Sequence, residues 1–138
     1  MSQQTADTVS FAPRASHNGR EIVLWILQIA AAAMFFLAGF PKLAGAPPMV
    51  GLFAAIGIGQ WFRYLTGALE VIGAILLLVP RFSGVGALLL AGVMAGAVAT
   101  HLFVIGGNPA IPVVLLVVTA SVAWARRDRT LNLVAIGQ

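Results

Sequence analysis

Residues 22–40 run nineteen positions without a charge, enough at about 1.5 Å rise per residue to cross ~30 Å of hydrocarbon as a helix. Comparable apolar stretches recur at 61–79, 84–105 and 110–125, and each reads as a further span. Pro41 is expected to stop the first, because proline lacks the donor that continues a helix. Pro80 with Arg81 ends the second, and Gly106, Gly107, Asn108 and Pro109 make a tight turn before the fourth. Between the first two spans, Met49, Leu52, Phe53 and Ile56 repeat at helical spacing, opened by Pro47 and Pro48 and closed by Gly57 and Gly59. This segment, 49–60, is too short to span and predicts an interfacial or re-entrant helix.

The fold expected is therefore an all-α membrane protein, a four-transmembrane-helix bundle with a short interfacial helix between helices 1 and 2, over residues 22–125. Residues 1–21 are polar, contain Pro13 and Gly19, and read as a flexible tail. Arg14 and Arg20 precede the first apolar run as in a secretory signal, but the run exceeds the usual signal length of about 7–15 residues and is expected to stay as an anchor. Residues 126–138 begin basic and end with Leu131, Leu133, Val134 and Ile136, a tail expected on the membrane surface.

Composition strengthens this picture. In 138 residues, 60% are hydrophobic and 9% charged, whereas soluble domains carry roughly a quarter charged residues. A chain of this length cannot hide so much apolar surface in its own interior, which excludes a soluble globular enzyme. The charge sets the topology. Four spans put both termini on one side, with Arg14, Arg20, Arg81, Arg126, Arg127 and Arg129, and leave Lys42 and Arg63 on the other. The positive-inside rule then predicts cytoplasmic termini in the cell membrane, and Trp25, Trp61 and Trp124 fall at the expected interfaces. The net charge of +4 suits anionic headgroups and gives no support for nucleic-acid binding.

Small residues predict where helices approach closely. Gly92 and Gly96 form a GxxxG continued by Thr100, and Gly67 and Gly73 flank Glu70; all four glycines are expected at helix contacts. Glu70 is the most informative residue, since a carboxylate in hydrocarbon costs about 2.5 kcal/mol or more and must face the bundle. The short loop before Ser83 makes helices 2 and 3 an antiparallel hairpin in which His101 is level with Phe62 and close to Arg63. Glu70 then lies roughly 12 Å deeper. Arg63 is two turns from Glu70 on nearly the same face, and the two are expected to act as a coupled pair. With Gln28, Thr119, Lys42 and His101 they suggest one polar column of ligand or proton site candidates. Each has a plainer reading: a register-fixing carboxylate for Glu70, a packed histidine for His101, snorkelling anchors for Arg63 and Lys42, and interhelical hydrogen bonds for Gln28, Thr100 and Thr119.

Several chemistries are excluded by what the chain lacks. With no cysteine there is no disulfide, thiolate metal site or cysteine catalysis. One histidine in the spans does not make a bis-histidine haem, His17 being in the polar tail. No phosphate loop, nucleophile elbow or dinucleotide fingerprint is present. No metal site and no intrinsic cofactor are expected.

Read in order, Gly39-Phe40-Pro41-Lys42-Leu43, then Trp61-Phe62-Arg63-Tyr64-Leu65-Thr66-Gly67 leading into Glu70 and Gly73, then Thr100-His101-Leu102-Phe103, resemble the DoxX family of small membrane proteins over residues 22–125. The resemblance implies a four-helix membrane bundle, functional positions at Lys42, Arg63, Glu70 and His101, and association with quinone-linked redox systems. It does not make the chain a catalyst on its own. Three functions stay open: an accessory or anchoring subunit of a membrane oxidoreductase lining a quinone site, with redox-enzyme partners; a carrier or binding protein for a small lipophilic molecule or ion; and a structural scaffold. The lipid bilayer is a partner under all three, and a homo-oligomer is compatible with each.

Overall fold

The small-residue faces and apolar runs assemble into six helices in the computed structural model, which describes residues 15–138. They are α1 (Ala15–Ala44), α2 (Pro47–Ile56), α3 (Gln60–Leu78), α4 (Ser83–Thr100), α5 (Ala110–Ala125) and α6 (Arg127–Ile136). Residues His101–Ile105 extend α4 as a π-helical turn. No strand occurs among the described residues. Three helices are long and apolar enough to cross a membrane, and α5 with α6 makes a fourth if that pair, bent by 58°, is counted as one span. The molecule is an all-α membrane bundle.

Packing follows size and shape. α1 lies mainly on α3, α3 on α4 and α4 on α5, while the α1–α5 contact that closes the ring is slighter than these three. Phe35, Ala74, Leu77, Ala87, Leu90 and Val122 fill the shared interior. Ile22, Ile26, Ile29 and Leu37 form an outward apolar stripe on α1, a face suited to contact with lipid. In the α3–α4 hairpin, a Cβ on Gly73 would meet Leu90 at 2.6 Å, and one on Gly86 would meet the Leu77 backbone nitrogen at 2.7 Å. Both pairs keep the antiparallel register set by the short connection.

Several boundaries differ from the sequence reading. The tail expected over 1–21 lies outside the described residues up to residue 14, and from Ala15 the chain is already helical. The start of α1 is tied to the end of α5, because Arg20 donates to the Ala125 carbonyl and Glu21 pairs with Arg126. α1 also passes through Pro41 to Ala44. Proline removes one backbone donor and leaves the Leu37 carbonyl one turn back without its usual partner, yet the helix continues, and the Pro41 carbonyl accepts from Ala46 N at 3.0 Å. The interfacial segment is helical over Pro47–Ile56, with prolines in its first turn and a left-handed Gly57 at its end. The C-terminal segment is the helix α6, and its start packs closely on α4: a Cβ on Gly84 would collide with Thr130 and approach the Arg126 carbonyl to 2.9 Å.

Candidate functional site

Two glycines build the site. α1 and α3 cross where Gly39 meets Gly67: a Cβ on Gly67 would lie 3.0 Å from the Gly39 carbonyl and 2.9 Å from Lys42 Cβ, and one on Gly39 would lie 3.1 Å from Glu70 Cβ. Only hydrogen at both positions lets the backbones come this close. The crossing brings Lys42, one turn beyond Gly39, against Glu70, one turn beyond Gly67. Lys42 Nζ donates to Glu70 Oε1 at 2.7 Å and Oε2 at 2.6 Å. The two side chains are 13% and 2% exposed, so each neutralises a charge that would be costly alone away from water.

This corrects the expected coupling of Glu70 to Arg63. Arg63 is buried but turns away from the carboxylate: Nη1 donates to the Lys42 carbonyl, Nε donates to Gln60 Oε1 at 2.7 Å, and the guanidinium lies 4.2 Å from the centre of the Tyr64 ring. It caps the Lys42 carbonyl in the last turn of α1, one of the groups a helix end leaves without an intrahelical donor. Gln60 in turn donates to the Val50 carbonyl at 3.0 Å. Arg63 and Gln60 therefore fasten the ends of α1, α2 and α3 to one another.

The ion pair faces a partly open cavity of about 720 Å³. Its walls are mostly apolar, with Phe53 of α2, Phe62 of α3 and Met94 of α4 among them, and His101 reaches its edge. Phe53 is buried and packs edge-on to Phe62, with centroids 5.8 Å apart. His101 Nδ1 lies 2.9 Å from the Ala97 carbonyl. A carbonyl only accepts, so Nδ1 carries hydrogen, and in the neutral ring Nε2 is the lone-pair nitrogen. The π-helical turn that begins at His101 belongs to a class of distortion frequent at functional sites.

Gly92 and Gly96 depart from their expected role. A Cβ on either meets nothing within 4 Å, and both line the cavity. The small-residue stripe opens space beside α4 where a helix contact was expected, and the Thr100 hydroxyl donates within its own helix to the Gly96 carbonyl at 2.8 Å. Gly67 and Gly73, by contrast, are at close contacts with α1 and α4.

Gln28 and Thr119 do not join Glu70, and the single polar column resolves into separate groups. Gln28 is fully buried, donating to the Leu77 carbonyl at 2.8 Å and accepting from Arg126 Nε at 2.9 Å. The buried Thr119 hydroxyl bonds within α5 to the Leu115 carbonyl at 2.7 Å. Arg126 is the residue the sequence reading missed. Counted as part of a basic tail, it is 3% exposed and its Nη1 donates to both Glu21 oxygens at 2.8 and 2.9 Å. The signal available was the acid–amide pair Glu21 and Gln28, two turns apart on one face of α1, opposite the first basic residue after α5.

Among the described residues no group of three or more His, Cys, Asp or Glu side chains is placed to hold a metal ion. Helical spans around a cavity with one buried ion pair define a small integral-membrane bundle with a polar spot inside apolar walls. Residues 26–124 match the model of the DoxX-like family, and the chain belongs to that family. No curated protein and no solved structure matches it.

Proposed function

We propose that this protein is a membrane binding protein for a small lipophilic molecule with a polar head, and that the molecule sits in the cavity with its head at Lys42 and Glu70 and its length running toward His101. The observation that carries this is the cavity itself: about 720 Å³ of mostly apolar space with a buried ion pair at its wall. That combination, apolar walls with a few convergent polar groups, is what small-molecule sites have in common. Lys42 supplies a donor and Glu70 an acceptor for the head, and His101 Nε2 is a second acceptor farther along the wall in the neutral ring, so a ligand carrying carbonyl or hydroxyl oxygens is matched.

A quinone has such oxygens on an apolar body. An accessory role beside a membrane oxidoreductase is the physiological setting we infer for such a ligand, with the redox enzyme supplying the chemistry and this chain holding the molecule. It rests on the membership in the DoxX-like family together with the cavity's chemistry. In this reading α5 makes the fourth crossing and α6 lies along the membrane surface, the Arg-rich end with both termini faces the cytoplasm of the cell membrane, and the Lys42 end faces outward, as the Lys and Arg distribution favours.

Purification in mild detergent, followed by solvent extraction and mass spectrometry, tests the proposal. A lipophilic compound of defined mass is expected at near one per chain, and to be lost in Gly96→Leu, whose side chain enters the cavity. That variant is expected to fold with unchanged or higher stability, since the added Cβ meets nothing within 4 Å and glycine is about 1 kcal/mol poorer than alanine inside a helix. Extracts containing only bulk phospholipid, the same for both proteins, would rule the binding role out.

A further inference from the structure

We propose that the seam between α1 and α5 holds one anionic phospholipid, with its phosphate at Arg20 and Arg126 and an acyl chain in the groove that Leu27, Ala30, Met34, Val114 and Val118 line. The seam is open because α1 and α5 pack less closely than the α1–α3, α3–α4 and α4–α5 pairs, and the result is an apolar groove of about 360 Å³. At one end of these two helices Arg20, Arg126, Arg127 and Arg129 stand against Glu21 and Asp128, an excess of positive charge. Arg126 donates to Glu21 and Gln28, Arg129 Nη2 lies 3.8 Å from Glu21 Oε2, and the exposed Arg20 reaches the Ala125 carbonyl at 3.4 Å.

Arg126 carries the second observation. Its Nη2 is buried and meets no acceptor among the described residues, although a buried donor left without a partner is costly. The guanidinium belongs to the α5 end yet bonds to α1 and lies 6.0 Å from the centre of the Trp25 ring, so it bridges the head of the seam. A phosphate entering beside Arg20 supplies the acceptor that Nη2 lacks. The groove is at the right depth for the same molecule, because Val118 lies two turns from Arg126, about 12 Å along α5. An acyl chain from a headgroup held at the arginines enters the groove at Val118 and Leu27 after about 12 Å along the seam. The apolar groove selects a lipid over a free phosphate ion, and the excess of positive charge selects an anionic lipid over a zwitterionic one.

The full chain, delipidated in detergent, is titrated with phosphatidylglycerol, phosphatidylcholine or inorganic phosphate, and bound lipid is counted by native mass spectrometry beside a thermal-stability readout. One phosphatidylglycerol is expected to bind about ten-fold or more tightly than phosphatidylcholine, and inorganic phosphate to give no comparable stabilisation. Arg20→Gln, at an exposed position, is expected to lower that preference about five-fold, the factor for one basic residue near an anionic surface. Ala30→Phe, also at an exposed position, is expected to weaken both lipids by filling the groove. Equal binding of the two lipids, stabilisation by phosphate alone, or wild-type lipid binding in both variants overturns the proposal.

Discussion

Lys42→Met is expected to destabilise the protein by about 3 kcal/mol or more, because it strands the Glu70 carboxylate away from water without its partner. Glu70→Leu is expected to cost a similar amount by stranding the ammonium. The double variant Lys42→Met/Glu70→Leu should recover most of the loss, since replacing a buried pair with apolar groups of similar size is often near neutral. Unfolding in detergent of the four proteins measures the coupling directly. Arg63→Ala supplies the contrast. Its guanidinium bonds to the Lys42 carbonyl and to Gln60, so its effect should add to that of Glu70→Leu. Additivity of Lys42→Met with Glu70→Leu, or strong coupling of Arg63→Ala to Glu70→Leu, would show that the wrong cation has been paired with the carboxylate.

Gly67→Leu should be as damaging, through shape. Its Cβ would stand 3.0 Å from the Gly39 carbonyl and 2.9 Å from Lys42 Cβ, and a helix backbone cannot turn aside as a flexible side chain can. α1 and α3 must separate, and overpacking of this kind costs typically 1–3 kcal/mol or somewhat more, to which the pulling apart of Lys42 and Glu70 is added. Gly92→Leu is the control, because the same substitution in a neighbouring helix meets open space. Thermal unfolding should show a large loss for Gly67→Leu and none for Gly92→Leu. Equal losses at both positions would mean that the two glycines serve the same packing role.

These two experiments also mark how far the residues alone led. The spans were legible because lipid demands long apolar runs, and Glu70 was legible because a carboxylate there must face inward. The α3–α4 register followed from the short loop before Ser83, and Gly73 against Leu90 with Gly86 against Leu77 keeps it. The α1–α3 register had no such constraint. α2 and two turns intervene, so nothing linear placed Lys42 level with Glu70, and Arg63, on the same helix as Glu70, was the nearer cation in sequence. The reading that Pro41 ends the helix hid the same contact, since Lys42 reaches Glu70 from a turn of α1 beyond that proline. For Gly92 and Gly96 the spacing identified a smooth face without saying whether a helix or a space lay opposite. Arg126 was lost to a charge tally, which registers the side of the membrane and not whether a guanidinium turns inward to a buried glutamine.

The binding role has its most direct test in a titration of the protein, stripped of copurifying compounds, with a short-chain quinone, comparing wild type, Gly96→Leu and Arg20→Gln at matched folded fraction. Saturable binding at one site per chain is expected for wild type, with a loss of about ten-fold or more in affinity for Gly96→Leu as the side chain takes the ligand's space, and wild-type affinity for Arg20→Gln at the opposite end of the bundle. Wild-type affinity in Gly96→Leu would contradict the binding role, placing any bound quinone outside the cavity at Lys42 and Glu70.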